Sequence, residues 1–221
     1  KQIITIIAVQ IFIIGTLFGQ GGLGSVVLPG NATCDSQYIS VSPCNGVTSI
    51  TYNGYTYDLV EIGGQCWFAE NLQTSKYRDG SPILYPGGDT SIWNNDTIGA
   101  YAWYDDDSST YASTYGALYN WYSVDNSAGL CPAGWHVSTD CDWMYLEDTL
   151  GMSTADQETT SWRGTDEGGK LKEMDTIHWN NPNTGATNES GFTALPAGYR
   201  YGTDGTYRWM GSNGYFWSSS E

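Results

Sequence analysis

Positive charge is scarce in this chain. Eight Lys and Arg stand against 24 Asp and Glu, a formal net charge of −16 over 221 residues. A polyanion of this kind repels nucleic acid and anionic lipid surfaces, which removes both from the partner classes. Histidine is scarcer still: His136 and His178 are the only two. No Ser/His/Asp set accompanies them, and both read as structural hydrogen-bonders beside Trp135 and Trp179. The five cysteines include no CxxC pair of the kind that clamps zinc. No EF-hand spacing with a central Gly and a distal Glu is present, nor a Glu-Pro-Asn sugar-binding signature. From Gln2 to Pro29 there is no charge at all.

That uncharged stretch is the first positive signal. Between Ile3 and Phe18 only Thr5, Gln10, Gly15 and Thr16 interrupt a run of Ile, Val, Leu, Phe and Ala. A helix that is apolar all round cannot lie on a water-facing surface. Ile3 to Leu28 as a helix would span about 39 Å, against about 30 Å for a bilayer core. Pro29-Gly30 is a stop signal. Residues 1–29 are therefore expected to form an apolar helix, either a membrane anchor or an assembly core. Gly15 and Gly19 form a GxxxG spacing that permits close helix approach. Gln10 and Gln20 could hydrogen-bond between helices, so assembly is favoured. The expected packing face is Ile3, Ile7, Ile11, Ile14, Gly15, Phe18 and Gly19. A cleaved signal peptide is a third reading, and a chain beginning at Lys1 rather than Met suits processing upstream.

The remainder is rich in Gly, Trp and Tyr, with 28, 10 and 17 of each. With little helical periodicity, this points to a β-rich or irregular α+β domain with many loops. Residues 30–48 read as a linker. From 49 the pattern alternates around Asn53-Gly54, a strong hairpin signal. Residues 79–128 read as mostly loop. Ser138 or Thr139 can cap a helix over about Asp140–Leu150, with Trp143, Leu146 and Leu150 on one face and Gly151 at its end. Cys34 and Cys44, and Cys131 and Cys141, are each ten residues apart and suit local disulfides in an oxidising compartment. Cys66 is then either free and buried or without a partner in this chain, and other pairings stay open. Asn31, Asn95 and Asn188 begin glycosylation sequons.

Two binding readings follow from residue type. Asp105 and Asp107, with Asp106 and Asp96, could hold Ca²⁺ through carboxylate oxygens; the competing reading is a solvated acidic loop, with no cofactor. Tyr201, Tyr207, Trp209 and Tyr215 lie in Gly-rich segments and could stack on a glycan; the competing reading is aromatic core beneath long loops.

Resemblances sharpen this picture. An uncharged apolar N-terminus followed by a polar head is similar to the type IV pilin class, including archaeal pilins and archaellins. Where bacterial members carry Phe and Glu, this chain has Lys1 and Thr5, so the archaeal pattern fits better. The strings GGQCWFAENL, TYGALYNWYSV, LCPAGWHVSTDCDW, GGKLKEMDTIHWNNPNTGATNESGFTALPAGYR and GYFWSSSE resemble the Fibrobacter succinogenes major paralogous domain family, in that family's order, over 49–221. That resemblance implies export and a C-type-lectin-like α+β fold with an antiparallel sheet, two small helices and long loops; the family has no established enzymatic activity, so no enzyme is expected. It also implies a further Cys-bearing strand beyond Glu221. Cys141 stands where the family often has Ala, which would make Cys131–Cys141 a local bridge. Formylglycine-generating enzymes share the fold but use a late cysteine pair, and no Cys follows Cys141. The expected function is a structural subunit of an extracellular, type IV pilus-like filament. It would be homo-oligomeric through the N-terminal helix, membrane-held before assembly, and would carry a lectin-like head for adhesion. The alternative is a membrane-anchored surface protein that recognises glycans.

Overall fold

The computed structural model describes residues 7–8, 13–15, 24–26, 34, 37–39, 43–160 and 162–220. Four short strands come first: β1 (Ile7–Ala8), β2 (Ile13–Gly15), β3 (Gly24–Val26) and β4 (Gln37–Ile39). Then follow β5 (Ser49–Tyr52), β6 (Tyr55–Ile62) and β7 (Gln65–Phe68). The middle of the chain holds α1 (Thr90–Asn95), β8 (Tyr101–Ala102), α2 (Ser108–Tyr115), β9 (Leu118–Tyr119) and α3 (Trp121–Val124). Next come β10 (Trp135–Val137), α4 (Asp140–Thr149), α5 (Thr154–Gln157) and α6 (Glu167–Leu171). β11 (Ala197–Tyr201) and β12 (Tyr207–Met210) close the order. A five-stranded sheet runs β10-β2-β7-β6-β5, a three-stranded sheet runs β1-β11-β12, and β3-β4 and β8-β9 are pairs. Every one of these pairings is antiparallel. The fold is thus mixed helix and sheet, with small antiparallel sheets and short helices.

Local chemistry explains the best-defined elements. Asn53 and Gly54 have φ of 49° and 88°, the left-handed pair that a two-residue hairpin turn demands. The turn sets Tyr52 opposite Tyr55 and Ser49 opposite Asp58. At α4, the Thr139 hydroxyl accepts the Asp142 N–H while the Asp142 carboxylate accepts the Thr139 N–H, a reciprocal cap. Gly151 follows the helix at φ 103°. Residues 79–128, expected to be mostly loop, contain three α-helices. Asp89, Asp107 and Asn120 cap them by accepting backbone N–H groups from Ile92, Thr110 and Ser123. These helices are four to eight residues long, too short for periodicity to reveal them.

The core gathers on β7, whose four residues are all buried. On one side Phe68 stacks on Tyr57 at 4.7 Å and meets Trp135 edge-on at 4.6 Å. On the other, Trp67 meets Trp143 at 5.2 Å and Phe192 at 5.9 Å, with Leu146 and Leu150 beside them. The anticipated Trp143/Leu146/Leu150 face is therefore the face that α4 turns to the sheet. Burial of each such side chain stabilises by about 1.5–3 kcal/mol.

Two expectations need correction. Cysteines pair as Cys34–Cys141 and Cys44–Cys66, and Cys131 is a buried free thiol. Glu61 accepts the Cys44 N–H at 2.9 Å, and Glu61 is the cross-strand neighbour of Cys66, so the linker is led across β6 to that cysteine. Cys131 joins the Tyr57/Phe68 core, while Cys141 opens α4 beside Met144, Tyr145 and Cys34. β10 carries the chain between those two clusters, and ten residues of separation become two different layers. The second correction concerns the N-terminal segment. Ile7 lies in β1 opposite Tyr201, and Ile14 and Gly15 lie in β2 between β7 and β10. β-branched Ile suits such pleated positions. Ile3, Ile11, Phe18 and Gly19 lie outside the described residues. Among the described residues no helix is long and apolar enough to cross a membrane.

Candidate functional site

A cleft of about 310 Å³ opens where four distant segments meet. Its first wall is the end of the β6–β7 ladder. Asp58 donates its N–H to Glu70 Oε2 at 2.7 Å, and Ala69 N–H bonds to the Asp58 carbonyl at 2.9 Å. The Glu70 side chain therefore folds back over the ladder. Burial pushes its carboxyl up; the Asp58 N–H partly offsets this, and the Asp58 charge adds to it. Asn71 comes next. It is only 3% exposed, its Nδ2 donates to the Tyr115 carbonyl at 3.0 Å, and its Oδ1 has no partner.

The second wall is the end of α2, which contributes Thr114. Gly116 follows at φ 70°, and a Cβ there would stand 2.6 Å from Asn71 Cβ and 2.9 Å from the Leu72 carbonyl. Only glycine allows that approach. The opposite wall is a loop pinned at both ends. His178 Nδ1 lies 2.8 Å from Glu173 Oε1, and the imidazole meets Tyr115 edge-on at 5.6 Å. Asn183 Nδ2 donates to the carbonyls of Glu173 and Asp175, holding the loop's backbone. Thr193 and Leu195 complete the lining. Thr193 sits at φ 57°, costly for a β-branched residue, and Asn188 holds it by bonding both its N–H and its hydroxyl.

The cleft thus sets three carboxylates, Asp58, Glu70 and Glu173, around one imidazole. Such a lining offers charge and hydrogen-bonding groups. Of these residues only His178 stood out in the sequence, as a structural hydrogen-bonder, because positions 58–71, 114, 173–178 and 193–195 meet only in the folded chain. The one local hint was the five-residue spacing of Glu173 and His178.

Sequence-selected residues fall elsewhere. Asp107 caps α2 and accepts from Ser109 and Thr110, contacts that hold its carboxyl below the usual range. Asp96 is buried on Gly99 N–H and Asn120 Nδ2. Asp105 lies in a turn at φ 51°, and Asp106 accepts from Tyr207 at 2.8 Å. Their separate duties disperse the carboxylates expected to hold Ca²⁺, and among the described residues no group of three or more His, Cys, Asp or Glu could hold a metal. Tyr207 packs on Arg200 and Tyr104, and burial pushes its hydroxyl well up. Tyr201 lies under Arg208 at 4.4 Å, and Tyr215 meets Tyr199 edge-on at 4.9 Å. Of the four aromatics only Trp209 is freely displayed, 55% exposed. His136 bonds Asp142 at 3.0 Å, as a structural hydrogen-bonder does. Asn95 is exposed on α1, Asn188 is engaged with Thr193, and Asn31 lies outside the described residues.

The two disulfides mark the protein as non-cytosolic, secreted or displayed at the cell surface. Residues 60–221 match the family model of the Fibrobacter succinogenes major domain. No curated protein and no solved structure matches the chain.

Proposed function

The chain belongs to the Fibrobacter succinogenes major domain family, and we propose that it is a structural subunit of an extracellular, type IV pilus-like filament. The observation that carries this reading is the union of an uncharged apolar segment, residues 2–29, with a disulfide-stapled head. The segment supplies the driving force for self-association, about 1.5–3 kcal/mol for each fully buried Ile or Phe. The acidic head keeps the polymer soluble and is displayed outward for adhesion. A C-type-lectin-like identity for the head is part of this proposal. It is supported by the small antiparallel sheets, the capped helix α4 and the long irregular connections.

The described strands add a condition. β1 and β2 use backbone groups that a helix over residues 1–29 would claim for itself. Helical assembly therefore requires β1 and β2 to leave their sheets, uncovering β11, β7 and β10. Electron microscopy of material sheared from native cells tests the reading, with Gly15→Leu as the diagnostic variant. Filaments from the parent and none from the variant, whose head stays folded, are expected. Normal filaments from Gly15→Leu would overturn the helix-packing mode, and no filaments from the parent would overturn the filament itself.

A second reading is a membrane-anchored surface protein that recognises glycans. The exposed indole of Trp209 favours it, since an exposed aromatic face can stack on a sugar. Protein confined to the membrane fraction, monomeric in detergent and retained on a glycan array, would replace the filament with this.

A further inference from the structure

We propose that the cleft between β6, α2 and the 173–178 loop takes an organic cation: the ammonium or guanidinium end of a lysine or arginine side chain from another protein. The inference stands whether or not the chain polymerises, because it rests on the cleft alone.

The cleft's own groups select the ligand. Three carboxylates face one imidazole, and that imidazole is already held by Glu173 Oε1 at 2.8 Å and Oε2 at 3.0 Å. Asp58 and Glu70 are left to accept from a ligand, and beside them in the lining stands Asn71, 3% exposed, its enclosed carbonyl oxygen without a partner. An ammonium or guanidinium brings three to five N–H donors and no acceptor, which complements such a set. An anion is repelled by the same carboxylates. A bare metal ion lacks a site, since among the described residues no group of three or more His, Cys, Asp or Glu could hold one. A sugar lacks its usual stacking face, because no Trp, Tyr or Phe is among the described residues that line the cleft.

Size and the adjoining loop support a side chain as the source. About 310 Å³ admits the end of one long side chain and excludes a folded element. Between Glu173 and His178 the loop shows Met174, 51% exposed, and Ile177, 76% exposed. The loop is nonetheless tied down by the Glu173–His178 pair and by Asn183. Apolar surface held out on a fixed loop suits the methylene stem and flanking residues of a basic side chain, whose stem prefers apolar contact while its head seeks charge.

The test titrates the full chain with Nα-acetyl-lysine methylamide and, separately, with the arginine equivalent, reading the His178 ring resonance by NMR. The resonance of His136, engaged with Asp142 in another part of the fold, is the internal control. A saturable shift at His178 alone, in the millimolar range expected of a single charged group, is predicted. Glu70→Gln keeps an acceptor for the Asp58 N–H and should weaken binding by roughly tenfold, with Asp58→Asn as the second variant at the same wall. The neutral norleucine analogue should give no shift. No saturable shift from either cation overturns the proposal. So does equal binding of norleucine, or saturation by glucose instead, which would assign the cleft to a neutral ligand. Unaltered affinity in both variants overturns it as well.

Discussion

The guanidinium carbon of Arg200 lies 4.6 Å from the ring centre of Trp93, and no part of Arg200 reaches solvent. Tyr207 covers the other face at 5.0 Å, Nε donates to the Gly205 carbonyl, and Nη2 donates to the Gly87 carbonyl. Nη1 stands 3.7 Å from Asp106. One side chain thus ties β11 to three loops through a planar fork between two rings. Lysine cannot reproduce that fork. Arg200→Lys should cost about 2–3 kcal/mol in urea unfolding, because at least two charge-assisted bonds are lost in a buried setting. A loss below a few tenths would show that the sandwich contributes little.

The disulfides should separate by loop length. Cys34–Cys141 closes a separation of 107 residues and Cys44–Cys66 one of 22. On the chain-entropy view the longer loop stabilises by about 4–5 kcal/mol and the shorter by about 3 kcal/mol. Chemical denaturation of the paired Cys→Ser variants would measure both. Peptide mapping should return those two pairs, and the buried Cys131 thiol should react with a thiol reagent only after unfolding.

Asp142 should make the fold acid-sensitive. Burial alone would raise its carboxyl, but bonds from His136 and Thr139 outweigh this and hold it below its ordinary 3.8. A depressed carboxylate contributes stability that is present above 3.8 and is lost as pH falls through the lower folded value. Asp142→Asn should cost about 1–2 kcal/mol at neutral pH through the weakened cap and the altered hydrogen bond with His136. The gap from the parent should close in acid, and a gap constant across that range would refute the assignment.

Trp209 should be a site of stored strain. It holds φ of 67° opposite Gly198, where a Cβ would stand 2.2 Å from the Arg208 carbonyl oxygen. A bulky L-residue in this region costs about 1–2 kcal/mol. Trp209→Gly should therefore raise thermal stability, since little buried surface is lost, while Gly198→Ala should lower it. If the indole serves glycan stacking, Trp209→Gly should also abolish retention on a glycan array, which separates binding from folding.

Elements decided by neighbouring residues were readable from the chain. The Asn53-Gly54 hairpin and the Thr139-capped helix α4 formed where turn and cap chemistry placed them. The family strings likewise lay in the order that the match over 60–221 bears out. Pairings between distant residues were not readable. Ten-residue spacing suggested Cys131–Cys141, yet β10 separates those cysteines and leads the chain on to α4, where Cys141 meets Cys34 instead. The apolar character of residues 2–29 was plain, but composition could not tell that β2 would find backbone partners on β7 and β10.

By itself, then, the sequence determined charge, export chemistry, family and the short-range turns and caps, because each depends on composition or on residues a few positions apart. Only the tertiary structure decided the disulfide partners, the burial of Arg200 between two aromatic rings, and the acidic cleft. Those features depend on side chains from segments up to 137 positions apart, such as Asp58 and Leu195, and only packing of the whole head brings such groups within hydrogen-bonding reach.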